Sequence, residues 1–154
     1  LLPSDNMCSG NHLALFLGHR ESGYQGSYTD WDGPLQQEIL DLVKRYTRED
    51  NVEMQEDNCG IPTFNVTVDG GARMAAAIAS QPEFAEIREA FKREPNMIGD
   101  PDALDTQLIR LTNGRLIAKA GAGGVRWVAN TKTGEGLFIA AGNPSAEHAD
   151  LALI

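Results

Sequence analysis

The hydrophobic period changes partway along this chain, and that change most limits the folds open to it. From Leu13 to Leu111 apolar residues recur at three- and four-residue intervals, the spacing of one buried helix face. Leu13, Phe16 and Leu17 form one stripe in a helix over residues 9–20, with Ser9 as its N-cap. Leu35, Ile39, Leu42, Val43 and Tyr46 form a second, starting at Pro34 and running to about residue 48. Residues 72–80 are rich in alanine and read as a third helix. Pro82 opens a fourth, with Phe84, Ile87 and Phe91, and Pro101–Leu111 a fifth, with Leu104, Leu108 and Leu111. After Asn113-Gly114 the period shortens. Arg115–Ala120, Val125–Asn130 and Leu137–Ala141 are short strand-like runs, separated by glycine-rich turns. Such a meander is antiparallel. Helices grouped ahead of it predict an α+β fold, an antiparallel sheet with packed helices.

Two weaker strand signals lie between the second and third helices. One is Val52–Gln55. The other is Thr63–Val68, where Phe64, Val66 and Val68 alternate inward until Gly70-Gly71 breaks the pattern. Residues 24–33 read as loop.

The chain has 154 residues, the length of one domain. Its ends are apolar, Leu1-Leu2 and Leu151–Ile154, and residue 1 is not Met. The expectation is one domain that is a piece of a larger fold, whose apolar ends are covered by other chain, a homodimer partner being one candidate. No apolar run is long enough to span a membrane. Thirteen Lys+Arg against 22 Asp+Glu give a net charge of −9. That balance argues against nucleic acid or anionic lipid as a partner. Nothing in the composition asks for an oxidising compartment, so the expected location is the cytoplasm.

Common catalytic signatures are absent. There is no phosphate loop, HExxH, Gly-x-Ser-x-Gly or Ser-x-x-Lys in the sequence. Gly121–Gly124 joins two strands and reads as a tight turn. His19 and His148 read as surface residues, and Glu83, Glu86, Glu89 and Lys92 as a solvated helix face.

The two cysteines have suggestive neighbours: Cys8-Ser-Gly-Asn-His12 and Asp57-Asn-Cys59-Gly-Ile-Pro62. His12 on the first helical turn could face Cys8. Asp57 and Cys59, two apart on extended chain, point the same way. Three readings stay open: a zinc site with Cys8 and Cys59 as thiolates and His12, Asp57 or water completing it, a disulfide, or two buried thiols. Lys119 lies between small residues beside a glycine turn, where it could reach a ligand carboxylate or simply point to water.

Taken in order, Cys8–His12, the Pro34–Tyr46 helix, Asp57–Thr63, Leu104-Asp-Thr-Gln-Leu108 and Gly114-Arg-Leu-Ile-Ala-Lys-Ala-Gly-Ala122 resemble the asparaginase II family. These are L-asparaginases with a fold similar to serine β-lactamases and glutaminases. The resemblance covers nearly the whole chain. It implies hydrolysis of L-asparagine to aspartate and ammonia by a serine in a Ser-x-x-Lys motif, beside a zinc ion. In the family that motif precedes the first cysteine, so an incomplete fold without its nucleophile is expected here.

By the resemblance, Cys8 and Cys59 are metal ligands with His12 as a possible third. Lys119 and Asp57 are the catalytic candidates, and Asn11 and His12 lie on the substrate side. Two departures stand out. The family pattern Cys-Ser-Gly-Lys-His has Asn11 in place of its lysine, and an amide is a poorer ligand and no base. Gly123 replaces a glutamate that is usual in the family.

Overall fold

A computed structural model describes residues 8–140. The chain divides into two compact units. The first takes the chain up to residue 45 together with 49–66; the second takes 46–48 and everything from 67 onward. Five helices and two small antiparallel sheets make the fold α+β. Among the described residues no helix is long and apolar enough to cross a membrane.

The first unit holds α1 (Ser9–Glu21), most of α2 (Pro34–Thr47), β1 (Glu53–Glu56) and β2 (Pro62–Asn65). The α1 helix is capped one residue earlier than expected. Ser9 is its first helical residue, and Cys8 stands at the N-cap without a side-chain cap bond. Its stripe is not a core face here: Leu13, Phe16 and Leu17 are exposed. His19 is the buried residue of α1, against its expected place at the surface. It packs edge-on against Tyr24, with ring centroids 5.8 Å apart. A lone histidine reads as polar in sequence, but a ring neighbour pays part of the cost of burying it.

The loop between α1 and α2 is tied down from α2. Gln36, almost fully buried, donates from Nε2 to the Tyr28 carbonyl at 2.7 Å, and Gln37 donates to the Trp31 carbonyl at 2.8 Å. The β1–β2 hairpin pairs Met54 with Phe64 and Glu56 with Pro62.

The second unit is built on α3 (Val68–Ser80), α4 (Ala85–Arg93), α5 (Leu104–Leu111) and a meander of β3 (Leu116–Gly121), β4 (Val125–Asn130) and β5 (Glu135–Ala140). The expected Thr63–Val68 strand is cut short at Asn65, and Val66 and Val68 do not continue it. The reason is a helix cap: the Thr67 hydroxyl accepts a hydrogen bond from Gly70 N at 3.0 Å, which satisfies an orphan donor of the first turn. Gly70-Gly71 therefore lies inside α3 rather than breaking a strand.

Close packing explains why a helix-weakening residue sits at position 71. A Cβ on Gly71 would meet the Phe138 ring at 2.5 Å, and one on Gly136 of β5 would run into the backbone of α3 at Ala72, Ala75 and Ala76. Bare backbone on both sides lets α3 lie against β5 at a distance no side chain permits. Around Ala79, Ile109, Ile117 and Ala129 the core closes, with Phe91 and Trp127 packed on it. The helix expected from Pro101 begins only at Leu104, and its last apolar residue, Leu111, is exposed.

Candidate functional site

Cys8 and Cys59 come from opposite ends of the first unit. Cys8 caps the α1 helix, and its carbonyl accepts the helical bond from His12 N at 3.0 Å. Cys59 sits in the turn that joins β1 to β2. Asp57 builds that turn: its Oδ1 accepts from Cys59 N at 2.8 Å and from Ile61 N at 3.0 Å, while Asp57 N donates to the Ile61 carbonyl at 3.0 Å. Gly60 takes the left-handed conformation, φ 82°, needed to close the turn. The result puts the Cys59 thiol 2.7 Å from the Cys8 sulfur, as donor to it. That hydrogen bond, then partial burial, then the charge of Cys8 and that of Asp57, push the Cys59 pKa up to about 11. The second proton of the pair is hard to remove because two thiolates would then lie side by side.

His12 does not join the sulfurs. Its Nδ1 meets the Tyr28 hydroxyl at 3.0 Å, and the two rings stand edge to face. Asn11, next to it on the first turn, is exposed. Asp57 spends Oδ1 on the backbone of its own turn. A tetrahedral zinc ion asks for four donors. The sulfur pair supplies two of them, and among the described residues no group of three His, Cys, Asp or Glu side chains could hold a metal ion. Among the described residues these donors do not complete a zinc set.

Lys119 belongs to the second unit. It lies on β3 opposite Trp127, and its Nζ donates to the Ala120 carbonyl at 2.6 Å. The side chain reaches the surface, yet the protein around it lowers the ammonium below the usual lysine value, because desolvation disfavours the charged form.

What holds that stretch of strand in place was not foreseen from sequence. Asp105 and Arg126 form a buried ion pair. The second oxygen of Asp105 accepts from Ala120 N at 2.5 Å, directly after Lys119. Asp105 therefore anchors the backbone that carries the lysine. It lies in the Leu104–Leu108 segment, but acidic residues at the start of a helix are common there for dipole reasons, so spacing alone does not mark one as buried. The glycine turn after Lys119 behaves as expected. Gly123 and Gly124 both have positive φ, 75° and 73°, and a Cβ on Gly123 would meet nothing within 4 Å.

The structure thus brings Cys8, Cys59 and Asp57 together, turns His12 onto Tyr28, and sets Lys119 on a separately anchored strand. None of the curated proteins compared matches the chain. The family profile of L-asparaginase II matches residues 2–152, nearly its full length. On that match, the chain belongs to the L-asparaginase II family.

Proposed function

We propose that this chain takes part in hydrolysing the side-chain amide of L-asparagine to aspartate and ammonia. The observation that carries the reading is the family match over residues 2–152. The reaction needs a nucleophile to add to the amide carbon. The C–N bond then breaks as the nitrogen picks up a proton and leaves as ammonia, and water releases aspartate. Amide nitrogen leaves poorly unless protonated, so a proton must travel from the nucleophile to the leaving group.

In this reading the nucleophilic serine lies in a Ser-x-x-Lys segment outside these 154 residues, within a β-lactamase-like fold. Lys119 supplies a cation for the substrate carboxylate. Its amine is held to the Ala120 carbonyl, and its strand is anchored by Asp105. Asp57 acts by positioning, since it shapes the turn that presents Cys59. Asn11 and His12, on the first turn of α1, are the polar groups that the family resemblance assigns to substrate binding.

The test is ammonia release from L-asparagine by the longer protein that joins a Ser-x-x-Lys segment to these residues. Turnover is expected, and it should fall about a hundredfold in Lys119→Met, the scale of losing one charge-stabilising group. No ammonia, or an undiminished rate in the variant, would overturn the assignment.

One observation favours a second reading, a non-catalytic member of the family: Asn11 stands where the family has lysine. Normal activity with Asn11 in place removes it. Activity that appears only with Asn11→Lys establishes it.

A further inference from the structure

The second unit carries a hollow of about 400 Å³, lined among others by Arg88, Lys92, Arg115, Lys132 and Glu89. Four cations against one acid is a local excess in a chain whose net charge is −9. Lys92, Arg115 and Lys132 make no ion pair among the described residues. Like charges held together repel, and a folded chain rich in acids would quench them at little cost if nothing else used them.

The hollow is also firmly built. Arg88 Nη1 donates to the Ile78 and Gln81 carbonyls, each at 2.8 Å, which fixes α4 against the C-terminal end of α3. Gly114, at φ 75°, lies under the Lys92 stem, and a Cβ there would meet Lys92 Cβ and Cγ at 2.8 Å. The lysine is thereby seated on bare backbone. Thr131 donates from Oγ1 to the Gly114 and Arg115 carbonyls at 3.1 Å, and from N to the Arg115 carbonyl at 2.8 Å.

The turn beneath has no backbone amide to offer. Asn113 N, Gly114 N and Arg115 N donate to Arg110, Ile109 and Thr112 carbonyls. Recognition is therefore left to side chains, chiefly the Lys92 and Lys132 ammonium groups and the Arg115 guanidinium fork. Such a set suits a multiply charged tetrahedral oxyanion, which takes charge from several directions, better than a single planar carboxylate.

We infer that this hollow binds a small soluble ligand bearing two or more phosphate charges, at a site distinct from Lys119 and the cysteine pair. Its size is within the range of small-molecule sites.

Calorimetric titration of the chain with inorganic pyrophosphate, orthophosphate and citrate at matched ionic strength tests this. Saturable binding is expected, with pyrophosphate tightest. Arg115→Gln and Lys92→Gln should each weaken it about tenfold, the scale of one charge-assisted contact, and Lys44→Gln on α2 should leave it unchanged. Circular dichroism confirms that the variants fold; if one does not, Lys132→Gln, on an exposed turn, takes its place. Absence of saturable binding, equal loss in Lys44→Gln, or citrate binding more tightly than pyrophosphate would overturn the inference.

Discussion

At the scale of single residues, the Cys8–Cys59 contact is the most informative. Cys8 holds the Cys59 thiol in a state it would not keep alone. Because Cys59 is pushed up to about 11, its proton is retained where an ordinary thiol, near 8.5, would have lost it. The folded form is favoured by that proton, so the contribution is complete below the ordinary thiol range and fades as pH rises toward 11. Removing Cys8 takes away the hydrogen bond and the neighbouring charge. Cys59 in Cys8→Ala should therefore be alkylated by iodoacetamide at pH 9 about tenfold faster than in the parent chain, which mass spectrometry of the labelled peptide can follow. An unchanged rate would mean the two sulfurs do not meet in solution.

Asn11 poses a related question. An amine three residues after Cys8, on the same helical turn, would add a donor to the two sulfurs. Asn11→Lys is expected to tighten zinc binding by at least about tenfold in chelator competition, the scale on which metal sites respond to their supporting groups. Equal affinity in both chains would show that the helix start does not face the sulfurs.

At the scale of elements, packing and polar burial decide how helices meet the three-stranded sheet. Gly136 faces α3 with no room for a methyl group. Gly136→Ala should cost about 1–3 kcal/mol in urea unfolding, as overpacked cores do. Gly10 on α1 has open space around its Cβ position, so Gly10→Ala should stabilise by about 0.5–1 kcal/mol by restricting the unfolded chain. A stabilised Gly136→Ala would show that α3 does not lie against β5 as closely as described.

The Asp105–Arg126 pair ties α5 to β4, and through Ala120 N to β3. Asp105→Ala removes the buried carboxylate that faces the Arg126 guanidinium and should cost about 3–5 kcal/mol, whereas an apolar replacement of both partners should recover much of the loss. The same unfolding measurements separate the two cases.

For the whole molecule the net charge of −9 matters most. Excess like charge opposes the compact state, and salt screens it over about 10 Å at 0.1 M. The melting temperature at pH 7 should therefore rise between roughly 10 and 200 mM NaCl. A fall would mean that attractive pairs such as Arg73–Asp69 outweigh the repulsion.

Some of this was legible in the sequence. Apolar period located four helices and the three-stranded meander, and alanine content a fifth helix, because such patterns need no knowledge of the partner, although the α1 stripe proved exposed. The ordered cysteine, glycine and lysine segments pointed to the L-asparaginase II family, to which the chain belongs. Local bonding within reach of a few residues decided the start of α3, where the Thr67 cap overrode a strand pattern that continued through Val68. Tertiary structure alone decided the rest. It brought two thiols 51 residues apart to 2.7 Å, turned His12 onto Tyr28, buried His19 and Asp105, and gathered four cations around one hollow. Each of these depends on a partner distant in the chain, and a one-dimensional pattern records which groups a residue carries but not which groups it will meet.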